Sequence, residues 1–200
     1  MHARALPFLA GAVLVLLPGV ASAAPSTAAV QNTFGDSRIA QGEVVLPDGR
    51  MATVWLGQYG GTGQAGAWSE LYVEVECEST SSCLEGGSGL ADLTPGQVEF
   101  SGGLREASVT DIDLTLYSWD ERSQDQIQRQ VTVSAAFEGT GQVTRDAAHG
   151  DQCSVMGATC QSVTVEASRS AVASLTLDGK TGTGTGTLSS GRYLSVGAPR

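Results

Sequence analysis

The chain has 200 residues and a mass of 20.5 kDa, with 21 acidic residues against 11 Lys and Arg, 26 Gly, 4 Cys and 2 His. A length close to one domain, with 41% hydrophobic and 16% charged residues, excludes charge-driven disorder and allows a sizeable core. The net charge of −10, with no Lys/Arg cluster anywhere to supply a local exception, argues against nucleic acid and anionic lipid surfaces, which both require a cationic footprint.

Residues 1–23 read as an export address. Arg4 supplies the positive start, Ala5 to Val20 is an apolar run broken by Pro7 and Pro18, and Ala21-Ser22-Ala23 is a small-residue cleavage site. The run falls short of the ~20 apolar residues of a membrane span, and no twin arginine or nearby Cys points to another route. The expectation is a signal peptide cleaved after Ala23 and a secreted, extracellular, soluble product with no later membrane span. Without Arg4, 10 basic residues face 21 acidic ones, a net −11.

Outside the cytoplasm, four cysteines are read first as two disulfides. Cys77 with Cys83 and Cys153 with Cys160 each bracket one short, polar, turn-rich segment, so local pairing is the simplest of the three connectivities. Neither spacing suits zinc, and only His149 remains after export. Clips this small contribute about 2 kcal/mol each.

Residues 24–37 are small and polar and are expected to form a flexible leader, with residues 38–200 as a single all-β domain. Val44 to Leu46 and Met51 to Leu56 flank Pro47-Asp48-Gly49-Arg50 and read as strand, turn, strand. Glu70 to Cys77 alternates, with Leu71, Val73, Val75 and Cys77 on one face and Tyr72, Glu74 and Glu76 on the other. Val98 to Phe100 is a short candidate strand. In Asp111 to Tyr117, Ile112, Leu114 and Leu116 point in and Asp111, Asp113, Thr115 and Tyr117 point out. Ser118 to Gln130 lacks an apolar stripe and reads as a long connection.

Val131, Val133, Ala135 and Phe137 form another inward row, followed by a glycine turn and a strand near residues 142–144. Val163 to Ala167, Ala171 to Leu177, Thr181 to Leu188 and Arg192 to Val196 continue the pattern, with Asp178-Gly179 as a tight turn. Such short strands between Gly, Pro and Asp turns predict an antiparallel β-sandwich or partly closed barrel.

Several motifs fail on context. Gly61 to Gly66 matches G-x-G-x-x-G, but a strand follows where the dinucleotide site needs a helix. Gly179-Lys180-Thr181 mimics the end of a phosphate loop within a hairpin turn. A Ser/His/Asp triad would need His149, which sits in a segment read as a loop. Thr181 to Thr187 alternates Thr and Gly, and the glycine side would let a ring or another strand approach closely.

The binding candidates are the wet faces that mix aromatic rings with acids: Tyr72, Glu74 and Glu76, and Asp111, Asp113 and Tyr117. Amphipathic rings beside carboxylates suit glycans or a partner protein, while Trp55, Trp68 and Trp119 are read first as core fillers. No cofactor is demanded; Asp111 and Asp113 could contribute to a calcium site. The leading expectation is a secreted, acidic, non-catalytic binding or structural β protein of the extracellular space or cell envelope. One alternative is a glycan hydrolase with paired carboxylates. The other is a protease inhibitor presenting the Cys77 to Cys83 loop.

Overall fold

The computed structural model describes residues 32–62, 67–76, 86–94, 96–150 and 159–198, which form strands and turns with no helix among them. The strands are β1 (Asn32–Val45), β2 (Met51–Gly61), β3 (Trp68–Val75), β4 (Gly87–Leu93) and β5 (Val98–Phe100), then β6 (Glu106–Asp120), β7 (Asp125–Gly139), β8 (Thr144–Gly150), β9 (Thr159–Leu177) and β10 (Lys180–Ala198). All ladders are antiparallel. Neighbours run β10-β1-β2-β3-β4-β6-β7-β9-β8, with β5 on β6. Because β9 also pairs with β10 along its length, the path returns to its starting strand. The return is weak in one place, where β4 and β6 share the single pair Ser88 and Tyr117; the sheet is not a clear barrel.

Period-two alternation decides which face is dry. Val44, Ala52, Val54, Leu56, Leu71, Val73, Val75, Leu114, Leu116, Val131, Val133, Leu175 and Leu188 are buried in one continuous core. Phe137 is the largest side chain in it, 1% exposed. The glycines opposite make room for its ring: a Cβ at Gly42 would meet Ala173 Cβ at 2.8 Å and Phe137 Cε1 at 3.2 Å, and one at Gly186 would meet Phe137 Cδ1 at 3.3 Å. The glycine side of the Thr/Gly strand therefore faces in, and Thr181, Thr183 and Thr185 are exposed.

Turn chemistry matches the sequence at both tight hairpins. Gly49 has φ 90°, and Arg50 Nη2 donates to Asp48 Oδ2 at 2.6 Å, which holds the Asp48 carboxyl down at about 2. Asp178 and Gly179 both have positive φ, 49° and 78°. The Asp178 backbone N–H donates to Thr132 O at 3.0 Å and its Oδ1 accepts from the Thr132 N–H at 3.0 Å, so this hairpin end is tied to β7.

In β6, register slips between Val109 and Ile112. Asp111 sits in this bulge at φ 53°, its N–H donating to Ser134 Oγ at 2.9 Å. A bulge adds one residue to one strand, so Ala107 and Val109 before it and Ile112, Leu114 and Leu116 after it all reach the core.

Three expectations are corrected, and one strand, β4, adds to them. Ser118 to Gln130 is no long connection: β6 and β7 continue through it around a turn at residues 121–124, where Asp120 Oδ1 accepts from the Arg122 N–H at 3.0 Å. The stripe was invisible because both faces there are wet. β1 starts at Asn32, inside the expected leader, because β2 and β10 offer ladder partners on both sides from Gly35 onward. β4, with the sequence GSGLADL, shows no apolar alternation because Gly87 and Gly89 begin the row that Ala91 and Leu93 complete. His149 lies in β8, an exposed edge strand, and not in a loop. The expected signal segment (residues 1–23), residues 24–31, Cys77, Cys83 and Cys153 lie outside the described residues, as does the side chain of Cys160 in β9.

Candidate functional site

The outward side of the β9-β10-β1-β2-β3 region carries what the core rejects. Register aligns Glu166, Gly191, Ser37, Tyr59 and Trp68 in one row across five strands. The next row toward the core end holds Ser189, Ile39, Gly57, Glu70 and Asp92, and the one after it Trp55, Tyr72 and Leu90. Small residues in the middle and large ones at the sides leave a shallow cleft of about 380 Å³. Gly35, Ser37 and Gly191 form its floor, Tyr59 and Trp68 one wall, and Thr164, Glu166 and Tyr193 the other.

Local sequence builds the aromatic wall. Tyr59 and Trp68 flank the β2–β3 connection and fall directly opposite one another, so their rings stack with centroids 4.2 Å apart and an interplanar angle of 21°. Trp55 joins at 6.0 Å from Tyr59. Gly57 between them is required: a Cβ there would meet Trp55 Cη2 at 2.6 Å and Tyr59 Cε2 at 2.8 Å. Trp68 remains 41% exposed. None of the three tryptophans fills the core; Trp119 is 51% exposed near the end of β6.

Burial raises the Tyr59 hydroxyl above its ordinary 10.0, helped by the charge of Glu70. Glu70 is itself raised above 4.5, first by burial and then by Asp92 opposite it. A raised carboxyl means that the fold binds this proton more tightly than the unfolded chain does. Its contribution to stability is therefore full below the ordinary value and declines as pH rises through the raised one. Glu70→Gln is expected to remove that decline, raising Tm at pH 7 by about 1–3 °C relative to its difference at pH 3. Paired thermal melts across that range check it.

The residues expected from sequence are only partly gathered. Tyr72 donates to Glu74 Oε2 at 3.0 Å, and its hydroxyl is raised by burial and by this carboxylate. Glu74, Ser88 and Tyr117 follow one another across β3, β4 and β6, so the two candidate faces share one outer surface. Glu76 lies just past β3, exposed, its N–H donating to Met51 O. Asp111 and Asp113 stand about 13–20 Å from Tyr117 along β6 by strand rise. There Asp111 Oδ1 accepts from Ser134 at 3.2 Å and Asp113 Oδ1 from Thr132 at 3.2 Å. Among the described residues, no three His, Cys, Asp or Glu side chains gather as a metal site.

Sequence reasoning passed over Tyr59, Glu166 and Tyr193 as site residues. Tyr59 and Trp68 could have been paired from their positions on either side of a glycine-rich stretch of sequence. Glu166 and Tyr193 reach the cleft from about a hundred residues or more along the chain and leave no local signal. Comparison with known proteins returns no match: no family model, curated protein or solved structure is similar to this chain.

Proposed function

We propose that the protein is an exported, non-catalytic binding protein of the extracellular space or cell envelope, built as a partly closed barrel, and that its ligand is a glycan. The observation that carries this reading is the stacked Tyr59–Trp68 wall facing Glu166 across a cleft floored by Gly35, Ser37 and Gly191. A sugar ring presents an apolar face to an aromatic side chain and hydroxyls to acceptors at its rim. Trp68 supplies the face; Glu166, Thr164 and Tyr193 supply the rim. The floor has no bulk to block approach.

A panel of surface polysaccharides tests it by affinity electrophoresis or calorimetry. At least one should bind, with Trp68→Ala weakening it by about tenfold or more, as for a central aromatic contact. Glu166→Gln should weaken it less. Absence of binding across the panel, or unchanged binding in Trp68→Ala, overturns the reading.

The second reading, a glycan hydrolase, is favoured by one pair of acids. Glu70, with its raised carboxyl, faces Asp92 on the neighbouring strand, and residues opposite one another place their Cβ atoms about 4.5–5.5 Å apart. New reducing ends that vanish in Glu70→Gln would establish it in place of simple binding.

A further inference from the structure

The opposite, inward face of the same strands changes character beyond the core. Above Leu188, Ala40 and Leu56, one ladder row reads Arg145, Ala167, Ser190, Arg38 and Gln58. The next reads Ala147, Val165, Arg192, Asp36 and Gly60, and the last His149, Val163, Leu194 and Phe34. Arg38, Arg145 and Arg192 thus come from β1, β8 and β10 into one cleft of about 450 Å³, closed on the far side by Phe100 and the Ser101–Leu104 turn. This corrects the reading that the chain has no basic cluster. The cluster is invisible in sequence because its members are 107 and 47 residues apart.

Three guanidinium groups are a large share of the 10 cationic residues left after export in a chain carrying 21 acids. Among the described residues none of the three forms an ion pair. Asp36, the ladder neighbour of Arg192, extends its carboxylate over Gly60. Arg38 Nη1 donates to Phe100 O at 3.4 Å, which leaves the rest of its fork facing the cleft. Mutual repulsion makes such a grouping unfavourable until an anion enters, and the planar fork matches a carboxylate or phosphate in two-point contact.

The rim is apolar where a surface should be polar. Phe34, Val165, Leu194 and Val196 are 43%, 44%, 44% and 45% exposed. All lie on this inward face within three ladder steps of Arg192. Contiguous exposed apolar area of this kind marks a binding surface.

From the guanidinium floor and the apolar rim together, we propose that this cleft binds an anionic amphiphile, a small molecule with a carboxylate head and an aliphatic tail. Its head lies against Arg38, Arg145 and Arg192, and its tail runs out along Val165, Leu194 and Phe34. The arginines and the aromatic wall lie on alternate ladder rows, and Asp36, Ser37, Gly191 and Arg192 border both clefts, which therefore adjoin.

The test is calorimetry on the full secreted chain with three probes: dodecanoate below its micelle concentration, dodecanol and inorganic phosphate. Dodecanoate should bind with a Kd in the micromolar range. Arg145→Ala and Arg192→Ala should each weaken it about tenfold, the loss typical of one charge-assisted contact. Arg122→Ala, the same charge change on the β6–β7 turn, should leave it unchanged. Dodecanol and phosphate, each with half of the chemistry, should bind at least about tenfold more weakly. The three arginines are exposed, and matching melting curves confirm that the variants fold. Failure of dodecanoate to bind, equal binding by the Arg145→Ala/Arg192→Ala double variant, or equal affinity for either half-probe overturns the proposal.

Discussion

Phe137→Ala is expected to be the most destabilising of these single substitutions, lowering Tm by about 10 °C or more. The ring is 1% exposed and lies against Gly42, Gly186 and Ala173. None of those neighbours carries a side chain long enough to collapse into the space. Large-to-small changes of buried aromatics cost about 3–5 kcal/mol, toward the upper end where the site cannot relax. Against a usual total of about 5–15 kcal/mol, that is the greater part of a modest stability. For a chain of this length the loss corresponds to a fall in Tm of about 10 °C or more. Thermal melting and urea unfolding measure it directly. Phe137→Leu should cost roughly half as much, and a Tm within about 2 °C of the parent for Phe137→Ala would mean that the ring is not the plug of the core.

Gly184→Ala is expected to be nearly as damaging, for the opposite reason. A Cβ at this position would run into the carbonyl oxygen of Glu43 on β1, with Glu43 C and Val44 Cα at 2.9 Å behind it. The obstacle is backbone, which cannot rotate aside as a side chain does, so relief requires β10 to move away from β1. Overpacking costs about 1–3 kcal/mol, occasionally more, and the upper end applies here. The same substitution at Gly102 meets nothing within 4 Å and should change Tm by about 1 °C or less. Hydrogen exchange should show the loss of protection concentrated on the paired segments 35–45 and 183–193. Equal behaviour of Gly184→Ala and Gly102→Ala would contradict the close approach of β1 and β10.

The two variants test one device. Repeated glycines on the inner face of β10, with Gly42 beside them, bring two backbones together and leave a recess for one ring. The Thr/Gly repeat suggested close approach of an aromatic or another strand; in the fold both occur, at Phe137 and at β1.

Alternation of apolar and polar residues was enough to fix strand type and inward face for Leu71 to Val75, Ile112 to Leu116 and Val131 to Phe137, because a two-residue period needs only local sequence to read. Asp-Gly dipeptides likewise located the hairpins at Gly49 and Gly179, since positive φ is a property of the residues themselves. Where both faces are wet, as from Ser118 to Gln130, or where the inward row begins with glycines, as Gly87 and Gly89 do in β4, the same rule had nothing to register. The placement of tryptophans was equally out of reach, because a large ring lowers free energy in a core or on a binding face alike. Only the closing of the ladders from β8 through β3 decided which residues meet. It set Glu166 opposite Tyr59 and Trp68 on one face and collected Arg38, Arg145 and Arg192 on the other. Register converts distance along the chain into neighbours 4.7–4.9 Å apart, and local sequence holds no record of which distant strand will supply the neighbour.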